Sequence, residues 1–518
     1  MYPNCNNKEK VFYLWYINKQ TMKKYRLMIG YLLLSLFSMT AIAQERLSPQ
    51  GGRRGTPCPH HITRRGIENR TPGGDFYHGE RHQLTVLAAF SDRPFAGDEA
   101  ATLKQWDKIF NTEGLTEAPF KGSVHDYFLA QSYGDFSVIF DLVYVQVADA
   151  KRYASTDEDD ENSQYLVQDI MDILGQNPDI DWDKYDWNGD GLINQLLIIY
   201  AGHGMADCYD PDLIWPHQWW MSYHLKDGQK DVYCDPIPVS AGGKDYLVDS
   251  YCALNELTNE NDYGSFGTIC HEYTHCFGFP DFYNGSTAYL YGWDLMCSGN
   301  YNGGGYVPAG YSAHERWLMG WLTPIELKET TSIADMPALA DEGTAYLIRN
   351  DGYENEYYIV ENRQPTKWDA SLPGSGITVF HIDYDPAIWA GTSDDYANSS
   401  ERQHCVLFHA NNKTKPVTGW AYPYQKNNSL TNSSKPAATL FNVNKDGTKL
   451  MSKPIANMTV TGGLASFEFD ATATGVNKVT TGSSDQLLFR IGMIDIIRDA
   501  NGNVRKVINV SRAPRKCQ

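Results

Sequence analysis

The stretch GSFGTICHEYTHCFGFPD, residues 264–281, constrains the chain more than any other. Phe266, Ile269, Cys270, Tyr273 and Phe277 recur at helical spacing and define one apolar stripe, which predicts a helix laid on a core. On the same wheel His271 and His275 fall roughly opposite that stripe and share a face, because they are four residues apart. Two imidazoles one turn apart can reach a single cation. Glu272 points beside them, where it can accept a proton from a water at the cation without ligating the cation itself. This is the division of labour of an HExxH metal hydrolase.

The residues after the helix sharpen the expectation. Gly278 can take the left-handed conformation that ends a helix. The chain then turns back, so Asp281, six residues after His275, is the candidate third ligand of a tetrahedral zinc site. Beyond it WDLMCSG, residues 293–299, offers Met296 in a tight turn as an apolar floor beneath the metal. HExxHxxGxxH with such a Met-turn is the metzincin pattern; here Asp281 stands in place of the last histidine. Within enzymes, the competing assignment takes Glu315 in SAHERWLMG as third ligand, on a later helix. From another class, the competitor is a surface adhesin or binding module with a structural zinc, which would have no need of Glu272.

The rest of the chain decides what such a site can belong to. Its 518 residues are 42% hydrophobic and 13% aromatic, enough for a large core and more than one folding unit. The formal net charge of −19 argues against a nucleic-acid partner, since there is no basic surplus to displace counterions. Met22-Lys23-Lys24-Tyr25-Arg26, the apolar LMIGYLLLSLF and Ala41-Ile42-Ala43 read as a signal peptide over residues 22–43, cleaved near Ala43. Residues 1–21 are then expected to precede the natural start. The expectation is a secreted protein, extracellular or at the cell surface, with no integral membrane segment after cleavage. The ten cysteines show no CxxC pair and no framework spacing, so pairings stay open.

Residues 44–80, rich in Gly, Pro and Arg, read as a pro-segment or linker. Cys58 within them is a candidate thiolate latch, with a plain linker cysteine as the alternative. Residues 81–325 interleave strands (HQLTVLAAF, FSVIFDLVYVQV, QLLIIYAGHG) with helices (SVHDYFLAQSYG, NSQYLVQDIMDILG), which predicts an α+β catalytic unit. Residues 326–470 carry short runs such as EYYIVENR and GITVFHID and predict a β-rich domain. Residues 471–518 read as a linker and tail. In DWNGDG, Asp186, Asn188 and Asp190 alternate before Gly191 and open like a calcium loop, although position 12 is Leu197 rather than a carboxylate. His203 and His217, beside aromatic residues, are read as core rather than cleft, and Cys270 lies on the buried stripe.

HEYTHCFGFPDFY followed by GWDLMCSG resembles the immune inhibitor A type of secreted bacterial metalloprotease, whose motif carries aspartate as third zinc ligand. GSVHDYFLAQSYGDF, DWNGDGLINQLLIIYAGHG, LIWPHQWW, GYSAHERWLMGWL and YIVENRQPTKWDASLPGSGITVFHID are similar to blocks of the same family. Together they extend the resemblance over roughly residues 81–470. It implies that His271, His275 and Asp281 bind Zn2+, that Glu272 is the general base and that Met296 is the Met-turn residue. It also implies a metzincin-like catalytic domain with a mixed sheet, an active-site helix and two lobes, structural Ca2+ at the Asp186 loop, and protein or peptide substrates.

Overall fold

The computed structural model describes residues 77–471, leaving out 155–161, 176, 209, 211, 225–232, 259, 285–286, 390–396 and 399–401, together with three strands beyond residue 485. The expected signal peptide, the expected pro-segment as far as residue 76, and Cys58 lie outside the described residues. The described chain is mixed α/β and divides into two compact units.

The first unit is built on a five-stranded sheet ordered Phe136–Val147, Gly79–Phe90, Leu196–His203, Ser250–Leu257, His217–Trp220. The first four strands run parallel and His217–Trp220 closes the edge antiparallel. Leu196–His203 and Ser250–Leu257 are buried at every position. That is the pattern of parallel strands covered on both faces, and it explains the near-continuous apolar run LLIIY. The helices start where local chemistry allows. Asp98 accepts from the Ala101 N–H ahead of Glu99–Asn111, and Ser123 with Asp126 forms a capping box ahead of Val124–Gln131.

The helix Phe266–Cys276 lies on this core through the expected stripe, with Phe266, Ile269, Cys270, Tyr273 and Phe277 each 1% exposed or less. Tyr273 packs on Phe128 and Phe140, and its hydroxyl donates to Gln83 Oε1 at 3.0 Å. Each large apolar side chain buried here contributes about 1.5–3 kcal/mol, so the stripe alone holds the helix firmly. At Gly267 the segment Gly299–Gly305 crosses so closely that a Cβ would lie 1.9 Å from the Asn300 carbonyl oxygen. At Gly305, with φ of +85°, a Cβ would lie 1.9 Å from the Gly264 carbonyl oxygen.

The second unit begins at Pro324, but residues 364–373 and 384–406 return to the first unit. The contiguous division expected at 325/326 does not describe these two excursions. Their physical reason is aromatic anchoring. Trp368 stacks on Phe266 at 5.8 Å and 11°, and Trp389 packs on Phe282 and His314.

The second unit is β-rich. Ala345–Arg349, Glu356–Arg363 and Gly376–Asp383 pair antiparallel in that order, and Thr331–Met336, Leu464–Phe469 and Ile455–Thr461 form a second sheet. Ile348, Tyr358, Val360, Val379, Met458 and Phe467 belong to one buried cluster. Beyond residue 485, Gln486–Ile491, Ile494–Arg498 and Val504–Ile508 form an antiparallel sheet within the stretch read as linker and tail. Among the described residues, no helix is long and apolar enough to cross a membrane.

Candidate metal centre

The helix ends as its sequence predicts. The Gly278 N–H donates to the His275 carbonyl at 2.8 Å and the residue sits at φ +90°, a region that favours glycine. The reversal carries the Phe279 carbonyl back to His275, whose Nδ1–H donates to it at 2.7 Å. His271 Nδ1–H donates likewise to the Leu295 carbonyl at 2.8 Å. A carbonyl only accepts, so each imidazole carries a proton on Nδ1, and Nε2 is the nitrogen left to face a cation.

Both Nε2 atoms face one oxygen. Asp281 Oδ1 lies 3.1 Å from His271 Nε2 and 3.3 Å from His275 Nε2. One ligand atom from each of the three residues lies within 4.8 Å of the others, and all three residues are buried. In a tetrahedral zinc site with bonds of about 2.0–2.1 Å, neighbouring ligand atoms lie about 3.3 Å apart. The measured edges fit that spacing, and the donor set of two imidazoles and a carboxylate suits zinc.

Burial alone would depress both imidazoles, yet the Asp281 carboxylate outweighs it and holds His271 and His275 above the ordinary histidine value. Against its own burial, Asp281 is held well below the usual carboxylate range by the two histidines. Glu272 stands beside this group. Its Oε2 is 4.0 Å from His275 Nε2, and the Gln218 backbone N–H, on the antiparallel edge strand, donates to its carboxylate. Burial pushes Glu272 up to about 8, with the His271 charge opposing and Asp281 reinforcing the rise. A divalent cation in the cluster would oppose that rise.

Met296 is fully buried, but the turn acts through its backbone as well. Asp294 Oδ1 accepts the Met296 N–H at 2.8 Å, and the Asp294 carbonyl accepts the Gly299 N–H at 2.8 Å. The Met296 carbonyl then accepts the Phe282 N–H at 2.7 Å, next to Asp281, while the Leu295 carbonyl orients His271. One turn therefore braces two of the three candidate ligands, the kind of outer-shell support a metal site uses. Sequence reasoning missed these carbonyls, since a backbone acceptor leaves no mark on residue identity. It also passed over Tyr283, whose hydroxyl bonds the Asp281 carboxylate and whose ring lies alongside His271 at 6.5 Å. The signal was available in the DFY that closes the motif.

The other candidates lie elsewhere. Glu315 is fully buried, but its carboxylate accepts from Ser312 N at 2.6 Å and Ser312 Oγ at 2.9 Å, capping its own helix. His217 donates through Nδ1 to the Trp215 carbonyl at 2.6 Å, contacts the Tyr251 hydroxyl through Nε2, and is pushed down to about 4 by burial. His203 is buried at the end of its strand. In the DWNGDG loop Asp186 accepts the N–H groups of Asp190 and Gly191, Asp190 accepts that of Leu192, and Asn188 donates to Asp190. Asp183 is engaged by Lys244 and Tyr246. Among the described residues, His271, His275 and Asp281 form the group whose ligand atoms converge.

Residues 92–320 match the family model for the immune inhibitor A peptidase M6 catalytic domain. The chain is 26% identical over 237 residues to the pre-pro-metalloprotease PrtV of Vibrio cholerae, a match covering 40% of this chain and 25% of that protein. Over 154 residues it is 29% identical to immune inhibitor A of Bacillus thuringiensis, covering 26% of this chain and 20% of the relative. The match thus spans a quarter or less of the length of these curated relatives. Residues 92–320 are thus similar to the metallopeptidase catalytic domain of the immune inhibitor A, M6, family.

Proposed function

We propose that the chain is an exported zinc endopeptidase, with Zn2+ held by His271, His275 and Asp281 and with Glu272 as general base. The observation that carries this reading is the pair of Nδ1-tethered imidazoles whose Nε2 atoms meet Asp281 Oδ1 at 3.1 and 3.3 Å. When bound, zinc supplies a more acidic water and polarises a scissile carbonyl. Glu272, in a mostly dry setting beside the ligands, takes the proton of the attacking water and delivers it to the leaving amine. Its raised proton affinity in the absence of a cation suits a group that must hold that proton between the two steps. Met296 is the Met-turn residue in this reading, and a metzincin-like, two-lobed catalytic domain is the architecture it entails.

The substrates are protein or peptide chains, in line with the metalloprotease relatives. The pre-pro form named for the Vibrio cholerae relative agrees with a leader at residues 22–43 and a pro-segment after it. Calcium at Asp186, Asn188 and Asp190 is a further, structural proposal, supported by a loop whose side chains already fold it around its own N–H groups. Calorimetric titration with calcium reads it, and neither heat nor a shift in melting would reject it. Hydrolysis of casein that a zinc chelator abolishes and added zinc restores tests the main reading. Full activity in metal-free protein would overturn it.

A further inference from the structure

The helix Phe266–Cys276 carries a second chemistry on the side turned toward the sheet. Cys276 closes its last turn next to His275, and Cys252 lies in the strand Ser250–Leu257. Their sulfurs are 3.3 Å apart, with Cys252 fully buried and Cys276 4% exposed. The Cys252 S–H donates to the backbone carbonyl of Glu272 at 3.4 Å. A thiol has one hydrogen, so the sulfur–sulfur contact is made by the Cys276 S–H pointing at the Cys252 sulfur. The two side chains thus face each other directly, one on the strand and one on the helix that bears His271, Glu272 and His275.

We propose that Cys252 and Cys276 form a disulfide that ties the metal-binding helix to the central sheet. A bonded pair has an S–S distance of about 2.05 Å, so closure brings the sulfurs together by about 1.3 Å. The oxidant is a low-molecular-weight or protein disulfide. As thiolate, Cys276, the more accessible sulfur, attacks that disulfide and releases one thiol, leaving a mixed disulfide on the protein. Cys252, as thiolate, then attacks the Cys276 sulfur and releases the second thiol. The protein loses two electrons, the donor disulfide gains them, and the two protons end on the released thiols. Because the bond joins positions 24 residues apart, it restricts the unfolded chain. It also anchors the C-terminal turn of the helix against the strand, independently of any ion at the neighbouring site.

Full-length protein with its native metal content, folded in the presence of oxidised or reduced glutathione, is alkylated, digested and mapped by mass spectrometry. The expected result is one peptide pair joined through Cys252 and Cys276 in the oxidised sample. Its melting temperature should lie roughly 5 °C above that of the dithiothreitol-reduced protein. Cys252→Ser and Cys276→Ser should each abolish the linked peptide and the difference in melting. Should one variant fail to fold, the other and the map of the unmodified chain decide. Complete alkylation of both thiols in protein folded under oxidised glutathione, or a link from either sulfur to another cysteine, overturns the proposal. The map reads the bond whether or not the site holds zinc, so its failure is distinct from failure of the peptidase reading.

Discussion

Each unit of the molecule buries a carboxylate against histidine, and the two clusters do opposite things. In the β-rich unit Glu356 is saturated with donors. His381 Nε2 reaches it at 2.8 Å, the N–H groups of Phe441 and Asn442 at 2.5 and 3.0 Å, and Asn350 Nδ2 at 2.9 Å. His381 lies stacked against Phe408 and Phe441. In the first unit Asp281 faces two imidazoles whose protons are committed to backbone carbonyls on their far sides. The first arrangement is a closed hydrogen-bond node. The second turns both Nε2 atoms to one carboxylate oxygen, a set that a cation can bind in place of protons. Which role a buried His–carboxylate cluster plays is decided by where the Nδ1 proton goes, a property of the backbone around the ring.

The contrast can be broken most sharply at Glu272. Glu272→Gln should keep stoichiometric zinc and lose peptidase activity by at least 10²–10⁴-fold, as expected for a lost general base; retained activity would remove Glu272 from the mechanism. Next comes the ligand itself. Asp281→Ala should lose zinc, measured by atomic absorption on folded protein. Glu315→Ala should keep it and lose the helix cap, which costs about 0.5–2 kcal/mol by denaturant titration. The reverse outcome would move the third ligand to Glu315.

On the other side of the comparison, Glu356→Ala should destabilise its unit by about 3–5 kcal/mol, because His381 and several buried donors lose their acceptor. Zinc per folded molecule should not change. His381 and the N–H of Phe441 outweigh burial and hold Glu356 below the ordinary glutamate value. Its contribution is therefore present at neutral pH and is lost as pH falls below the usual glutamate range, through the folded-state pKa. The variant should show a flatter acid limb in melting against pH.

A third buried carboxylate gives an effect of the opposite sign. Glu256 accepts the Gly202 N–H at 2.9 Å, and burial pushes it up to about 7. A carboxyl raised above its unfolded value favours the folded state in acid, and that advantage is lost as pH rises from about 4.3 through 7. Glu256→Gln should therefore stabilise the protein by about 1–3 kcal/mol more at pH 8 than at pH 5, read from paired denaturant titrations. Equal effects at both pH values would show that Glu256 is ionised in the folded protein throughout.

Much of the geometry of the candidate metal centre was legible in the sequence because it depends on side-chain periodicity and on one glycine. The apolar stripe of the helix, the shared face of His271 and His275 and the turn at Gly278 are all local, within one or two turns of each other. What escaped depends on distance along the chain or on the backbone. Trp368 and Trp389 sit among β-like runs, so nothing nearby reveals that they pack in the first unit. The carbonyls of Leu295, Met296 and Phe279 look the same whatever residue bears them. The three strands after residue 485 follow the polar stretch ATATGVNKVTTGSSD, which reads as a linker to a tail.

The crossing at Gly267 and Gly305 has a mechanical consequence. Helix and loop meet there with no clearance, backbone against backbone, so the loop works as a fixed stop against which the helix is seated. A single methyl at position 267 would act as a shim. It would shift the rod that carries His271 and His275 while Asp281 stays on its own turn, detuning the site from a position that touches none of its ligands.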